Sequence, residues 1–144
     1  MIVVLDTNCL VAGLLSPNGP CAEILDRWRD GQFEVAVSSE LVAELQRTLQ
    51  YPRIVAKYHV TASAVDAVAD ELKSQGVMFA DSVAPPRVVP GDSHDDYVIA
   101  LAVAADGHLL VTRDKHFAEV DRNVCAVEII SPEQFLGRLR EDNS

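Results

Sequence analysis

The run Ile2-Val3-Val4-Leu5-Asp6-Thr7-Asn8 is apolar and mostly β-branched until it meets an acid. A strand with one wet face alternates apolar and polar residues, whereas a strand buried on both faces stays apolar throughout. Ile2 to Leu5 therefore reads as an interior strand of a parallel sheet, with Asp6 at its carboxyl end. The arrangement recurs at Leu109 to Thr112, where an apolar strand leads through Arg113 into Asp114. In open α/β sheets ligands bind beyond the carboxyl ends of the strands, where the strand order reverses, so two such acids can converge there.

Working outward, strands alternate with helices. Phe33 to Val37 and Val127 to Ile130 read as further strands. Pro20 opens a helix through Ile24, Leu25 and Trp28 that Gly31 closes. Ser38 or Ser39 caps a helix carrying Leu41, Val42, Leu45 and Leu49 on one side, ended by Pro52. Thr61 begins another, with Val65, Val68, Ala69 and Leu72 on its inner face and Gly76 at its end. The nearly all-apolar helix from His94 to Ala105 is expected to be buried all round. Ser131-Pro132-Glu133 starts a terminal amphipathic helix with Phe135, Leu136 and Leu139. Ala84 to Gly91, with three prolines, reads as a connecting loop within one domain. The expected fold is α/β: a three-layer α/β/α sandwich around a mostly parallel sheet, one domain over 1–144.

Composition narrows the function. The 144 residues are 49% hydrophobic and 24% charged, the balance of a globular protein with a core. A net charge of −10 argues against a basic domain held to nucleic acid by overall charge. It does not argue against carboxylates gathered for a metal. The N-terminus meets an acid too early for a signal peptide, and the longest apolar run, Tyr97 to Ala105, is too short to span a bilayer. Cys9, Cys21 and Cys125 match neither a disulfide framework nor zinc spacing, and read as reduced, buried thiols of a cytoplasmic protein.

Two further acids fall near those strand ends. Asp96 lies in the first turn of the apolar helix, where the helix dipole favours negative charge. Glu44 lies beside the apolar stripe of its helix, within reach of a cleft. Clustered carboxylates repel unless a hard divalent cation neutralises them, and an oxygen-only donor set selects Mg²⁺ or Mn²⁺ over zinc. Each acid also has a plain structural role available. Asp96 can close a helix end, Glu44 can pair with Arg47 or Thr48, Asp114 can belong to a turn, and Asp6 can cap the segment after it. Of the histidines, His116 alone lies close enough to Asp114 to support it.

The order of motifs resembles the PIN-domain nucleases, in the bacterial toxin branch related to VapC. Ile2 to Asn8 is similar to their first motif, Ser38 to Leu45 to the second, Asp95 to Ala102 to the third and Leu110 to Lys115 to the fourth. Leu15 to Pro20 and Tyr51 to Ile54 are similar to the toxin branch as well. The resemblance implies a Mg²⁺- or Mn²⁺-dependent ribonuclease, a homodimer blocked by a cognate antitoxin. It implies that Asp6, Glu44, Asp96 and Asp114 hold the metal, with Thr112 and Asn8 as supports and Asp92 or Asp95 able to share the role of Asp96. Two other readings stand beside it, a non-catalytic PIN-like interaction module and a phosphoaspartyl enzyme on a similar sheet. Removing the four acids from −10 leaves −6, so RNA needs a local basic lip, for which Arg47, Arg53, Lys57, Arg113 and Lys115 flank the motifs.

Overall fold

Ile2–Leu5 forms β1, which pairs in parallel with β2 (Glu34–Val37) on one edge and β4 (Leu109–Val111) on the other. This computed structural model describes residues 1–80, 93–105, 109–113 and 127–142. Outside β2 lies the short β3 (Val77–Met78), and outside β4 lies β5 (Glu128–Ile130), giving the all-parallel order β3-β2-β1-β4-β5. Val4 sits opposite Leu110 and Leu5 opposite Val111, so β1 and β4 end level with each other. Chain order runs outward from β1 in both directions, which makes the β1–β4 seam the switch point of the sheet.

Seven helices connect and flank these strands among the described residues: α1 (Thr7–Leu15), α2 (Pro20–Arg29), α3 (Ser39–Leu49), α4 (Pro52–Tyr58), α5 (Ala62–Gln75), α6 (Ser93–Ala104) and α7 (Pro132–Asp142). Layers of helix on a parallel sheet make the three-layer α/β/α sandwich that the sequence implies. None of these helices is long and apolar enough to cross a membrane. Val3, Val4 and Leu5 are fully buried, as are Val35, Ala36, Val37, Leu110 and Val111. Burying each larger apolar side chain contributes about 1.5–3 kcal/mol, so these short strands owe their place to the core rather than to their length. From α7, Phe135 is wholly buried and meets the Phe33 ring edge-on at 5.0 Å.

Helix ends follow local chemistry. The Ser38 hydroxyl accepts from the Leu41 amide at 3.2 Å, and the Thr61 hydroxyl accepts from the Ala64 amide at 3.1 Å. Ser131 and Gln134 cap each other reciprocally, at 3.1 and 2.9 Å. Gly31, at φ 78°, lets its own amide reach the Trp28 carbonyl and the Gln32 amide reach that of Arg27, which satisfies two carbonyls at the end of α2.

Four expectations need correction or extension. Thr7–Leu15 is a helix that hydrophobic periodicity does not announce, because apolar residues surround it on most sides. Pro52 does more than end α3: it occupies the first position of α4, where its missing amide costs nothing. Val77–Met78 adds an edge strand too short to show a pattern. In α6, Val98, Ile99, Leu101 and Ala102 are buried, but Val103 is 46% exposed, so the helix keeps one wet side. The stretch from Ala84 to Gly91 lies outside the described residues.

α1 packs closely against α2 at Gly13. A Cβ on Gly13 would stand 2.6 Å from Leu25 Cδ1 and 2.9 Å from the Cys21 carbonyl oxygen. Ala usually stabilises a helix relative to Gly, but here it meets backbone. Gly13→Ala is expected to destabilise the protein by about 1–3 kcal/mol in urea unfolding, and a gain in stability would show that α1 and α2 are not packed this closely.

Candidate functional site

The polar residues buried among the described residues are Asp6, Thr7, Ser38 and Thr112. All four stand within two residues of the carboxyl end of β1, β2 or β4. Burying a polar group costs free energy unless a partner compensates, so a cluster confined to one rim of the sheet calls for a specific cause. For Ser38 the cause is the cap of α3.

Asp6 is different. It occupies the position before α1, yet its carboxylate makes no capping hydrogen bond to that helix. Its backbone completes the local structure instead: the Asp6 amide donates to the Val111 carbonyl at 3.0 Å, and the Asp6 carbonyl accepts from the Leu10 amide at 3.0 Å. The carboxylate, 2% exposed, accepts from the Thr112 hydroxyl at 2.8 Å on Oδ2. Thr112 is itself held by its amide, which donates to the Ile130 carbonyl at 3.0 Å. The carboxyl ends of β1 and β4 are thereby linked through one hydroxyl–carboxylate bond at the switch point, and the Thr112 amide ties β5 to them. A capping role for Asp6, open on sequence grounds, is not the one its side chain takes.

Glu44 takes the plainer of the two roles its sequence position allows. Arg47 donates to its Oε2 at 2.7 and 3.1 Å, and the same guanidinium reaches Glu40 at 3.2 Å. The hydrogen bond to Glu44 holds the Arg47 guanidinium above its usual range. The Thr48 hydroxyl binds the Glu44 carbonyl rather than its carboxylate, at 2.9 Å. α3 packs against both α1 and α6, so Glu44 stands on the helix that flanks the Asp6 rim even though its carboxylate faces Arg47.

Of the remaining candidates, Asp96 lies in the first turn of α6, which packs against β1, β2 and β4. The side chains of Asp96 and Asp95, and all of Asp92, Asp114 and His116, lie outside the described residues. Asn8 is exposed in the first turn of α1. Among the described residues no three acids, histidines or cysteines gather closely enough to hold a metal ion. Asp6 and Thr112 are the pair that the structure brings together. Thr7 is a buried neighbour the sequence did not single out; its one signal was a polar residue directly after an apolar strand.

The basic lip is partly committed elsewhere. Arg47 binds Glu40 and Glu44, and Arg113 reaches Glu133 at 3.5 Å. Arg53 and Lys57 stand exposed on α4, where the Lys57 ammonium lies 5.2 Å from the centre of the Tyr58 ring. Lys115 lies outside the described residues. A cavity of about 780 Å³ opens near Trp28, Arg29, Phe33 and Glu71, at the amino end of β2 and thus away from the Asp6 rim.

Comparison with known proteins agrees with this fold. The family model described as PIN domain matches residues 2–116. No curated protein matches the chain. Among solved structures, VapBC2 from Rickettsia felis, bound to a DNA fragment from its promoter, is similar at a TM-score of 0.60 and 16% identity, covering 91% of this chain and 98% of that one. PAE2754 from Pyrobaculum aerophilum is similar at a TM-score of 0.61 and 20% identity, covering 98% of this chain and 90% of that one.

Thr112→Val keeps the shape of the side chain and removes the donor to Asp6. It is expected to cost about 1–3 kcal/mol in chemical denaturation, with Thr112→Ser retaining most of the stability. A Val variant as stable as wild type would mean that this hydroxyl does not hold the carboxylate.

Proposed function

The chain belongs to the PIN domain family, and from that premise we propose that it is a Mg²⁺- or Mn²⁺-dependent ribonuclease, the toxin of a cytoplasmic toxin–antitoxin pair. The single observation that carries the reading is the buried Asp6 carboxylate at the switch point, which makes no capping hydrogen bond to α1 and is held by Thr112. A carboxylate kept from capping and kept from bulk water is a poor structural device. It is a good hard-oxygen ligand for a divalent cation.

The donor chemistry fits such a cation. Asp6 supplies the first oxygens from β1, and in this reading Asp96 from the start of α6 and Asp114 from beyond β4 supply the rest, with Asp92 or Asp95 able to share with Asp96. When bound, the cation lowers the pKa of a water and polarises a phosphoryl oxygen. The chain's own residues do the remaining work. Thr112 fixes the rotamer of Asp6, so that its oxygens are in place before substrate arrives. Glu44, released from Arg47, orients the attacking water, and a freed Arg47 joins Arg53 and Lys57 in drawing the phosphate backbone toward an otherwise repelling surface. In-line hydrolysis of RNA would leave a 5′-phosphate and a 3′-hydroxyl. A homodimer and inhibition by a cognate antitoxin complete the proposal; the relative from Rickettsia felis was solved as a VapBC2 assembly.

The Glu44–Arg47 pair favours one alternative, a non-catalytic PIN-like module in which the acids serve only surface structure. Metal binding separates the two. If the acids form a cage, Mn²⁺ at a hundredfold excess over its Kd should stabilise the fold by about 2–3 kcal/mol in thermal denaturation, and an inert module should not respond. Asp6→Asn is expected to abolish Mn²⁺-dependent cleavage of RNA while the circular dichroism spectrum stays native. A variant that cleaves at the wild-type rate would falsify the assignment.

A further inference from the structure

Two sulfurs lie beside the proposed site without belonging to it. Cys9 is in the first turn of α1 and Cys21 is the second residue of α2, and their Sγ atoms stand 3.2 Å apart. Both are free thiols and both are buried, in the helix pair that Gly13 allows to approach closely. The Cys9 thiol donates to the Cys21 sulfur. We propose that Cys9 and Cys21 are the site of a reversible intramolecular disulfide, formed by hydroperoxide, that ties α1 to α2 one turn beyond Asp6.

The two thiols are not equivalent, and the difference assigns their roles. Cys21 receives the hydrogen bond of Cys9, stands in the first turn of α2 where the helix dipole favours an anion, and feels the Arg113 guanidinium. The hydrogen bond from Cys9 foremost, and the Arg113 guanidinium after it, hold its thiol below the usual range. Cys9 is pushed the other way, by its hydrogen bond to Cys21 first, then by burial and by the negative charge of Cys21 and Asp6. Cys21 is therefore the attacking thiolate and Cys9 the resolving thiol.

The chemistry balances. The Cys21 thiolate attacks one oxygen of hydrogen peroxide, the O–O bond breaks, and a sulfenic acid forms as hydroxide leaves. Cys9 attacks the sulfenic sulfur, the S–O bond breaks and the S–S bond forms. The two thiol protons end in two molecules of water for each peroxide reduced. A disulfide bond is about 2.05 Å long, so the sulfurs must close by about 1 Å from their present separation. Access runs through the turn before α2. Ser16, Pro17 and Asn18 are exposed there, and Gly19 and Pro20, which lead into Cys21, line a cavity of about 440 Å³. A shift of that turn admits a small oxidant to Cys21 while the rest of the core stays closed.

The test uses the purified full chain and hydrogen peroxide under native conditions, followed by alkylation of free thiols and non-reducing digestion. The expected result is a Cys9–Cys21 cross-linked peptide that has lost two hydrogens, is cleaved by a dithiol reductant and forms equally in Cys125→Ser. The oxidised chain should melt higher by roughly 5–10 °C, because a short loop is closed in the unfolded state. In Cys9→Ala, Cys21 should stop at the sulfenic acid and be captured by dimedone. Recovery of Cys9 and Cys21 as alkylated thiols, or a cross-link from either to Cys125, would overturn the proposal. This outcome does not depend on whether the chain cleaves RNA.

Discussion

β1 is hydrogen-bonded on both edges, and the rim of the sheet takes its character from that constraint. A strand with β2 on one side and β4 on the other leaves its last residue at the centre of the carboxyl edge. The register sets Leu5 against Val111, so the next residue on each strand, Asp6 and Thr112, meets the other across the seam. The chain then departs from β1 into α1 and returns to β4 only after two more strands, β2 and β3, have been laid down on the opposite side. No loop crosses that seam from β1 to β4 directly, which is the geometric reason ligands collect at such points.

The electrostatics of the molecule follow a similar division between global and local. A net −10 makes the surface repel phosphates as a whole, yet several arginines are already spent on acids: Arg47 on Glu44 and Glu40, Arg29 on Glu71, Arg138 on Glu128, Arg140 on Glu23. Exposed pairs of this kind add little stability, typically about 0–1 kcal/mol each. Their consequence is that the local field changes when a pair opens. The Arg47 cluster matters most in this respect, because opening it would free both a carboxylate beside the sheet rim and a guanidinium beside α4.

Close packing and reactivity are joined in the α1–α2 pair. Gly13 removes a side chain where the Cys21 carbonyl approaches, and the same closeness sets two thiols in contact a turn away. α1 also begins at Asp6, so whatever alters the seating of α1 on α2 acts on the helix that starts at the candidate site. The core beneath is apolar, with Leu5, Leu10, Ile24 and Phe135 among its fully buried members. Strain introduced at the thiols would therefore be carried by α1 as a unit rather than absorbed locally.

By itself, the sequence determined what depends on near neighbours. Uninterrupted apolar runs at Ile2–Leu5 and Leu109–Val111 identified interior parallel strands, and Ser38, Thr61, Gly31 and Ser131 announced helix ends, because capping and burial are read within a few residues. The placement of Asp6 and of Thr112 at the ends of their own strands was legible for the same reason. Helix α1 was not, since a segment enclosed on most sides carries no amphipathic stripe, nor was β3, whose two residues show no period. Only the tertiary structure decided that the Asp6 carboxylate accepts from the Thr112 hydroxyl, a partner 106 residues away. It likewise decided that Glu44 turns to Arg47 and that Cys9 meets Cys21, because a side chain with several partners in reach is committed by the packing of elements and not by its position in the chain.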